Sequence, residues 1–397
     1  MKNKFWGKML ALTLSAAVVA GCGAFAGCNN NSDSGNKIPE TQKIEDLSDD
    51  RYVNLYGRNY YNENYEGTTF INSASGFELK FRGTAVYADI CVIGSRDSMW
   101  SVFVDGETDS NARVLTFKKK RGMFTKKTLV EGLPGGEHTL KILKRTMSSA
   151  DYAVIKNLAS DGAFLGAPEK PKLHIAFYGD SITCGSGVLR EYKPADSKIH
   201  TAETQNALQS YAAYCARELG ASFGVFGRGG ITLKFRNPAT EPFSVINNYK
   251  SMAVDLSVEN GECPEYDFSD MPDAVVIYLG TNDYLRSLSS NTGYSIAGME
   301  AAYIEFVDKL VGAYYGFDIP IVLCSGMMVH NSGLAGAVSG AAQMLKPKYP
   351  YIAALDFDAG VTESVGGHPV VEDSVKAGAQ LAQTLKTLFV NSGRILD

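Results

Sequence analysis

Residues 173–183 read Leu-His-Ile-Ala-Phe-Tyr-Gly-Asp-Ser-Ile-Thr, an apolar run suited to a buried parallel strand that stops at Gly179 and runs into Asp180-Ser181. Runs of the same kind recur downstream at Ser222–Phe226, Ala274–Leu279, Pro320–Cys324 and Ile352–Leu355. Strands buried on both faces read as continuous Val/Ile/Leu/Phe segments rather than alternating ones. Between them lie stretches of helical character: Thr204–Leu219, Ala297–Tyr315 with Tyr303, Phe306, Leu310 and Ala313 on one face, and Val371–Val390 at the end. Strands alternating with helices predict a three-layer α/β/α domain with a parallel sheet over residues 172–395.

In such sheets ligands bind beyond the carboxyl ends of the strands, where the strand-to-helix loops gather. The first strand ends in Gly179-Asp180-Ser181, the second in Gly227-Arg228-Gly229-Gly230 and the third in Gly280-Thr281-Asn282-Asp283. The loop after the fifth leads to Gly367-His368-Pro369. A hydroxyl, a glycine loop, an amide and an imidazole on one edge are the parts of an acyl-transfer site. In this reading Ser181 is the nucleophile and His368 the general base. The backbone N–H groups of Ser181 and Gly227 and the side-chain amide of Asn282 hold the oxyanion. Thr183 stands where a GxSxG elbow needs its second glycine, so that alternative is excluded. The five histidines form no HExxH or other ligand cluster, which predicts chemistry without metal or cofactor. His138 and His174 are expected to be structural, and His200 and His330 are weaker loop candidates for the base.

The order GDS, glycine block, GxND and C-terminal histidine resembles the SGNH, or GDSL, hydrolase superfamily. The segments GDSITCGSG, TQNALQSYAAYCARELGA, GRGG and LGTNDY, preceded by GRNYY, FELKFRGTAV, VDGE and GGEHTLKILKRT, narrow the resemblance to carbohydrate esterase family 2 over nearly all of residues 51–395. That family joins an all-β jelly-roll sandwich to an SGNH domain and removes O-acetyl groups from polysaccharides such as xylan and mannan. The resemblance implies the same substrates here, whereas the residues alone reach only a serine esterase. Two positions depart from the family pattern. Where it has an aspartate and often a tryptophan before the histidine, this chain has Gly366 and Gly367. Either a backbone carbonyl of the 361–367 loop or the Glu363 side chain is then left to orient His368. The departures also leave room for an esterase of another acyl ester, or for a catalytically weakened carbohydrate-binding lipoprotein.

Upstream of the first core strand the texture changes. Between about residues 51 and 165 Phe77, Leu79 and Phe81 alternate with polar neighbours, and Ser101-Val102-Phe103-Val104 runs into Asp105-Gly106. Period-two runs broken by turn residues predict an antiparallel β-sandwich. Lys118-Lys119-Lys120-Arg121 reads as a solvated hairpin. Pro168 and Pro171 mark the boundary between the two domains.

The first 28 residues carry Lys2, Lys4 and Lys8, an apolar run from Met9 to Ala20, and Ala-Gly-Cys at Cys22 and again at Cys28. This is an export signal that resembles a lipobox, with Cys22 the preferred lipidation site, giving a lipoprotein held extracellularly at a membrane face. Residues 29–50, polar and acidic, read as a flexible tether. Losing the signal removes three positive charges and takes the formal net charge from −5 to −8, which argues against nucleic acid as a partner. The remaining cysteines are scattered without a CxxC pair and are expected as buried thiols.

Overall fold

The computed structural model describes residues 39–107, 113–120, 122–149, 151–189, 201–314, 318–328, 333–358 and 367–394. The signal, both lipobox cysteines, His200, His330, Glu363 and Gly366 lie outside them.

Among the described residues the N-terminal part holds eleven strands: β1 (Thr41–Ile44), β2 (Val53–Tyr56), β3 (Asn59–Asn62), β4 (Gly67–Phe70), β5 (Gly76–Gly83), β6 (Val86–Gly94), β7 (Ser98–Val104), β8 (Arg113–Phe117), β9 (Thr125–Val130), β10 (Gly136–Lys144) and β11 (Asp151–Phe164). All their pairings are antiparallel. The alternation in β5 buries Phe77, Leu79 and Phe81 completely, against Phe70, Trp100 and Leu140. Trp100 meets Phe70 edge-on at 5.9 Å. Strand β11 pairs with β6 from Asp151 to Ser160, with β4 over Ala153–Ile155, and with β5 at Ala163 and Phe164. The register slips between Lys156 and Ala159, where Asn157 takes φ 53°. Asparagine tolerates that left-handed conformation better than most residues.

The C-terminal part is a five-stranded parallel sheet in the order β13-β12-β14-β15-β16. Its strands are β12 (His174–Gly179), β13 (Ser222–Gly227), β14 (Ala274–Tyr278), β15 (Ile321–Gly326) and β16 (Ile352–Phe357). The described helices are α1 (Tyr211–Glu218), α2 (Val245–Asn248), α3 (Thr281–Ser287), α4 (Ile296–Ala313), α5 (Leu334–Leu345) and α6 (Val371–Asn391). Every residue of β14 and β15 is buried, as a sheet covered on both faces requires. The chain leaves β12, forms β13 on one side, then crosses back to form β14 on the other. That reversal is a topological switch point, and the crevice it opens lies at the end of β12.

Residues 38–397 form one compact unit, because the sandwich and the parallel sheet share buried contacts. Arg58, between β2 and β3, enters the α/β part. Its guanidinium donates to the Ser251 carbonyl at 2.6 Å and to the Tyr178 hydroxyl at 3.0 Å, and stacks 4.0 Å from the Phe226 ring centre and 4.1 Å from that of Tyr266. Asn72 donates to the Met252 carbonyl at 2.7 Å. Cys91, Cys184, Cys215, Cys263 and Cys324 are buried free thiols.

Candidate active site

Strand β12 delivers its chain end into a tight turn. Asp180 accepts the Ile182 N–H at 2.9 Å, and the N–H groups of Cys184 and Ser186 close onto the Asp180 and Ser181 carbonyls. The turn fixes Ser181 at the sheet edge, 8 % exposed. His368, also 8 % exposed, arrives from the loop before α6 and places Nε2 2.7 Å from Ser181 Oγ. A hydroxyl and an imidazole 187 residues apart in sequence thus share one hydrogen bond. That is the geometry in which a histidine takes the serine proton.

Asn282 sits in the first turn of α3. Gly280 precedes that turn with φ 93°, a left-handed conformation that favours glycine. The Asn282 amide nitrogen donates to the Ile231 carbonyl at 3.0 Å and to Asp180 Oδ2 at 3.3 Å. One turn further on, Arg286 donates to the Gly230 carbonyl at 2.7 Å and pairs with Glu241. One face of α3 therefore holds the loop after β13 against the serine turn. Asp283 reinforces the hold by accepting the N–H groups of Leu233, Lys234 and Phe235. Burial pushes the Asp180 carboxyl up to about 7.

Two glycines of the block stand in different surroundings. Gly227 is the last residue of β13, paired in register with Gly179, and a Cβ there would strike the Gly179 carbonyl at 2.0 Å. Strand packing is what requires glycine at that position. Gly229, passed over in the sequence, is the glycine whose Cβ position lies 3.8 Å from Ser181 Cβ. Gly367, next to His368, has φ 72°, and a Cβ there would meet Met328 Cγ at 3.1 Å. Left-handed backbone and the Met328 side chain together disfavour a larger residue at that position.

The other two described histidines have local partners. His138 bonds Asp105 at 2.7 Å and the Pro134 carbonyl at 2.8 Å, and the Asp105 carboxylate raises its pKa. His174 bonds the Ser222 hydroxyl at 3.0 Å, and burial lowers its pKa. Among the described residues no group of three or more His, Cys, Asp or Glu side chains is placed to hold a metal ion.

Residues 56–168 match the family model described as carbohydrate esterase 2 N-terminal, and residues 175–344 match GDSL-like lipase/acylhydrolase. A cellulase/esterase, CelE, of Acetivibrio thermocellus is 30% identical over 270 residues, which are 66% of this chain and 30% of that protein. An acetylxylan esterase / glucomannan deacetylase of Cellvibrio japonicus is 25% identical over 260 residues, 64% of this chain and 68% of that protein. The solved family two carbohydrate esterase of Cellvibrio japonicus superposes with a TM-score of 0.73 at 21% identity, covering 88% of this chain and 98% of its own. That of Clostridium thermocellum, in complex with cellohexaose, gives 0.71 at 25% identity, covering 84% and 98%.

Proposed function

We propose that this chain, which joins a carbohydrate esterase 2 N-terminal domain to a GDSL-type hydrolase domain, is a serine esterase that removes O-acetyl groups from plant cell-wall polysaccharides or oligosaccharides of the xylan or mannan type. The observation that carries the chemistry is the 2.7 Å Ser181 Oγ–His368 Nε2 hydrogen bond at the switch point of the sheet. The similarity to a cellulase/esterase and an acetylxylan esterase / glucomannan deacetylase supports the substrate class.

Ser181 Oγ attacks the ester carbonyl carbon while His368 Nε2 takes its proton. The carbonyl π electrons move onto oxygen, and the resulting oxyanion is held by the N–H groups of Ser181 and of Gly229, the glycine that stands beside the serine. Collapse expels the sugar oxygen, which recovers the proton from His368. Water then repeats the sequence on the acyl-serine, releasing acetate and restoring the hydroxyl. Acetate release from a panel of acetylated xylo- and manno-oligosaccharides tests the reading. Turnover of simple aryl acetates with none of the oligosaccharides would leave an esterase of another ester, and no turnover of either would leave a binding protein.

Asn282 is the third donor. Of its two hydrogen bonds, the one to Asp180 is the longer, and an oxyanion would displace it while the bond to Ile231 stays. Asn282→Ala is expected to lower kcat by about 10²–10³-fold with little change in KM. A change confined to KM would make the amide a substrate-positioning group.

The mature protein is placed outside the cell at a membrane face by lipid on Cys22, a reading that rests on Val19-Ala20-Gly21-Cys22 closing the apolar run. Mass spectrometry of the mature N-terminus is expected to find diacylglyceryl-Cys22. Lipid on Cys28, or an unmodified N-terminal residue, would replace it.

A further inference from the structure

The β-sandwich contributes a side chain to the reacting centre. The connection from β10 to β11 carries Met147, 8 % exposed, whose Sδ and Cε both lie 3.3 Å from the Cβ position of Gly229. The same point is 3.8 Å from Ser181 Cβ. Met147 therefore fills the space over the glycine that stands beside the serine. Its own N–H donates to Gln205 Oε1 at 3.4 Å, and its carbonyl accepts from the buried Lys144 ammonium at 3.3 Å. That ammonium also donates to the Thr146 carbonyl at 2.7 Å and faces Asp151 at 3.2 Å, with both charged side chains fully buried. The connection is thus anchored from inside the sandwich rather than left as a surface loop.

The order of the sheet assigns a side of the ester to this methionine. Gly229 follows β13, on one side of β12, while His368 follows β16, at the far end on the other side. The leaving sugar oxygen must lie toward His368, because it takes its proton from that imidazole. With the leaving oxygen toward His368 and the carbonyl oxygen in the donor pocket, the acyl chain is the substituent left to lie beside Gly229, where Met147 stands. From this we infer that Met147 is the wall that limits the site to short acyl groups, with the Lys144–Asp151 pair as its positioning support. The inference rests on the esterase reading above and names the acyl side of that same site. A thioether is an unbranched, polarisable filler, suited to closing a small apolar pocket.

The test compares kcat/KM for p-nitrophenyl acetate, propionate and butyrate in the wild type, Met147→Ala and Met147→Val. The wild type should prefer acetate. Met147→Ala should raise the butyrate-to-acetate ratio about tenfold or more, the usual worth of a methylene-sized change in an apolar pocket. If the alanine variant does not fold, Met147→Val should show a smaller rise, on propionate. A ratio unchanged within threefold in a folded variant, or a wild type that cleaves butyrate as well as acetate, overturns the role of Met147 while leaving the esterase standing. A wild type that cleaves none of the three overturns the esterase reading itself.

Discussion

Ser181→Ala is expected to reduce ester hydrolysis by about 10⁴-fold or more, with the melting temperature unchanged. The size follows from the role: without Oγ there is no nucleophile, and what remains is water attacking an ester held in the donor pocket. The fold should be indifferent, because Ser181 Oγ bonds His368 Nε2 and no element of the β12 turn depends on it; that turn is closed by Asp180 and by backbone groups. His368→Ala should fall nearly as far, and the double variant no further than the worse single one, since the two groups act as one unit. Hydrolysis of p-nitrophenyl acetate, read beside a thermal melt, checks all three. Activity within tenfold of wild type in folded Ser181→Ala would remove the serine from the reaction, and additive losses in the double variant would show that the pair does not act together.

The parallel sheet was the most legible part of the chain. Each of the five strands lies within two residues of its apolar run, and the last helix starts at Val371 as read. A short unbroken apolar run that ends at glycine or a turn residue is told from a buried helix by its length. The stretch Thr204–Leu219 was less so: it divides into a short 3-10 turn, Ala207–Gln209, and α1, with Ser210 extended between them. The glycine block shows what local pattern leaves open. Nothing in Gly227-Arg228-Gly229-Gly230 tells which glycine ends the strand, and a shift of two residues moves the candidate donor from strand packing to the side of the serine. Met147 and Arg58 were beyond reach for another reason. Each gains its meaning from a contact with the other domain, about 80 to 210 residues away in sequence, and neither carries a periodic or motif signal. Glu363 and residues 361–366, the groups the sequence offered for orienting His368, lie outside the described residues.

Asp151→Ala should be the most damaging single change to stability that leaves the reacting groups in place, at about 3–5 kcal/mol. Lys144 and Asp151 are both fully buried and 3.2 Å apart. The ammonium directs two hydrogen bonds to the Thr146 and Met147 carbonyls, and the carboxylate supplies the opposite charge. Removing the acid leaves a desolvated cation in the sandwich, faced at longer range by Asp255 of the other domain. Burial already holds the Lys144 ammonium below its ordinary 10.5, and loss of the partner carboxylate lowers it further. The unfolded chain then binds this proton more tightly than the folded one. Stability must rise with pH, between the folded value and about 10.5, by up to about 1.4 kcal/mol per unit. Replacing both partners by apolar side chains of similar size, Lys144→Met with Asp151→Leu, removes the charge together with its cost and should recover most of the loss. Urea unfolding of the three variants at pH 7 and pH 9.5 reads each part. A loss below 1 kcal/mol for Asp151→Ala, or a variant no more stable at the higher pH, would mean that the ammonium reaches water or another anion. The β10–β11 connection carrying Met147 would then be held by something other than this ion pair.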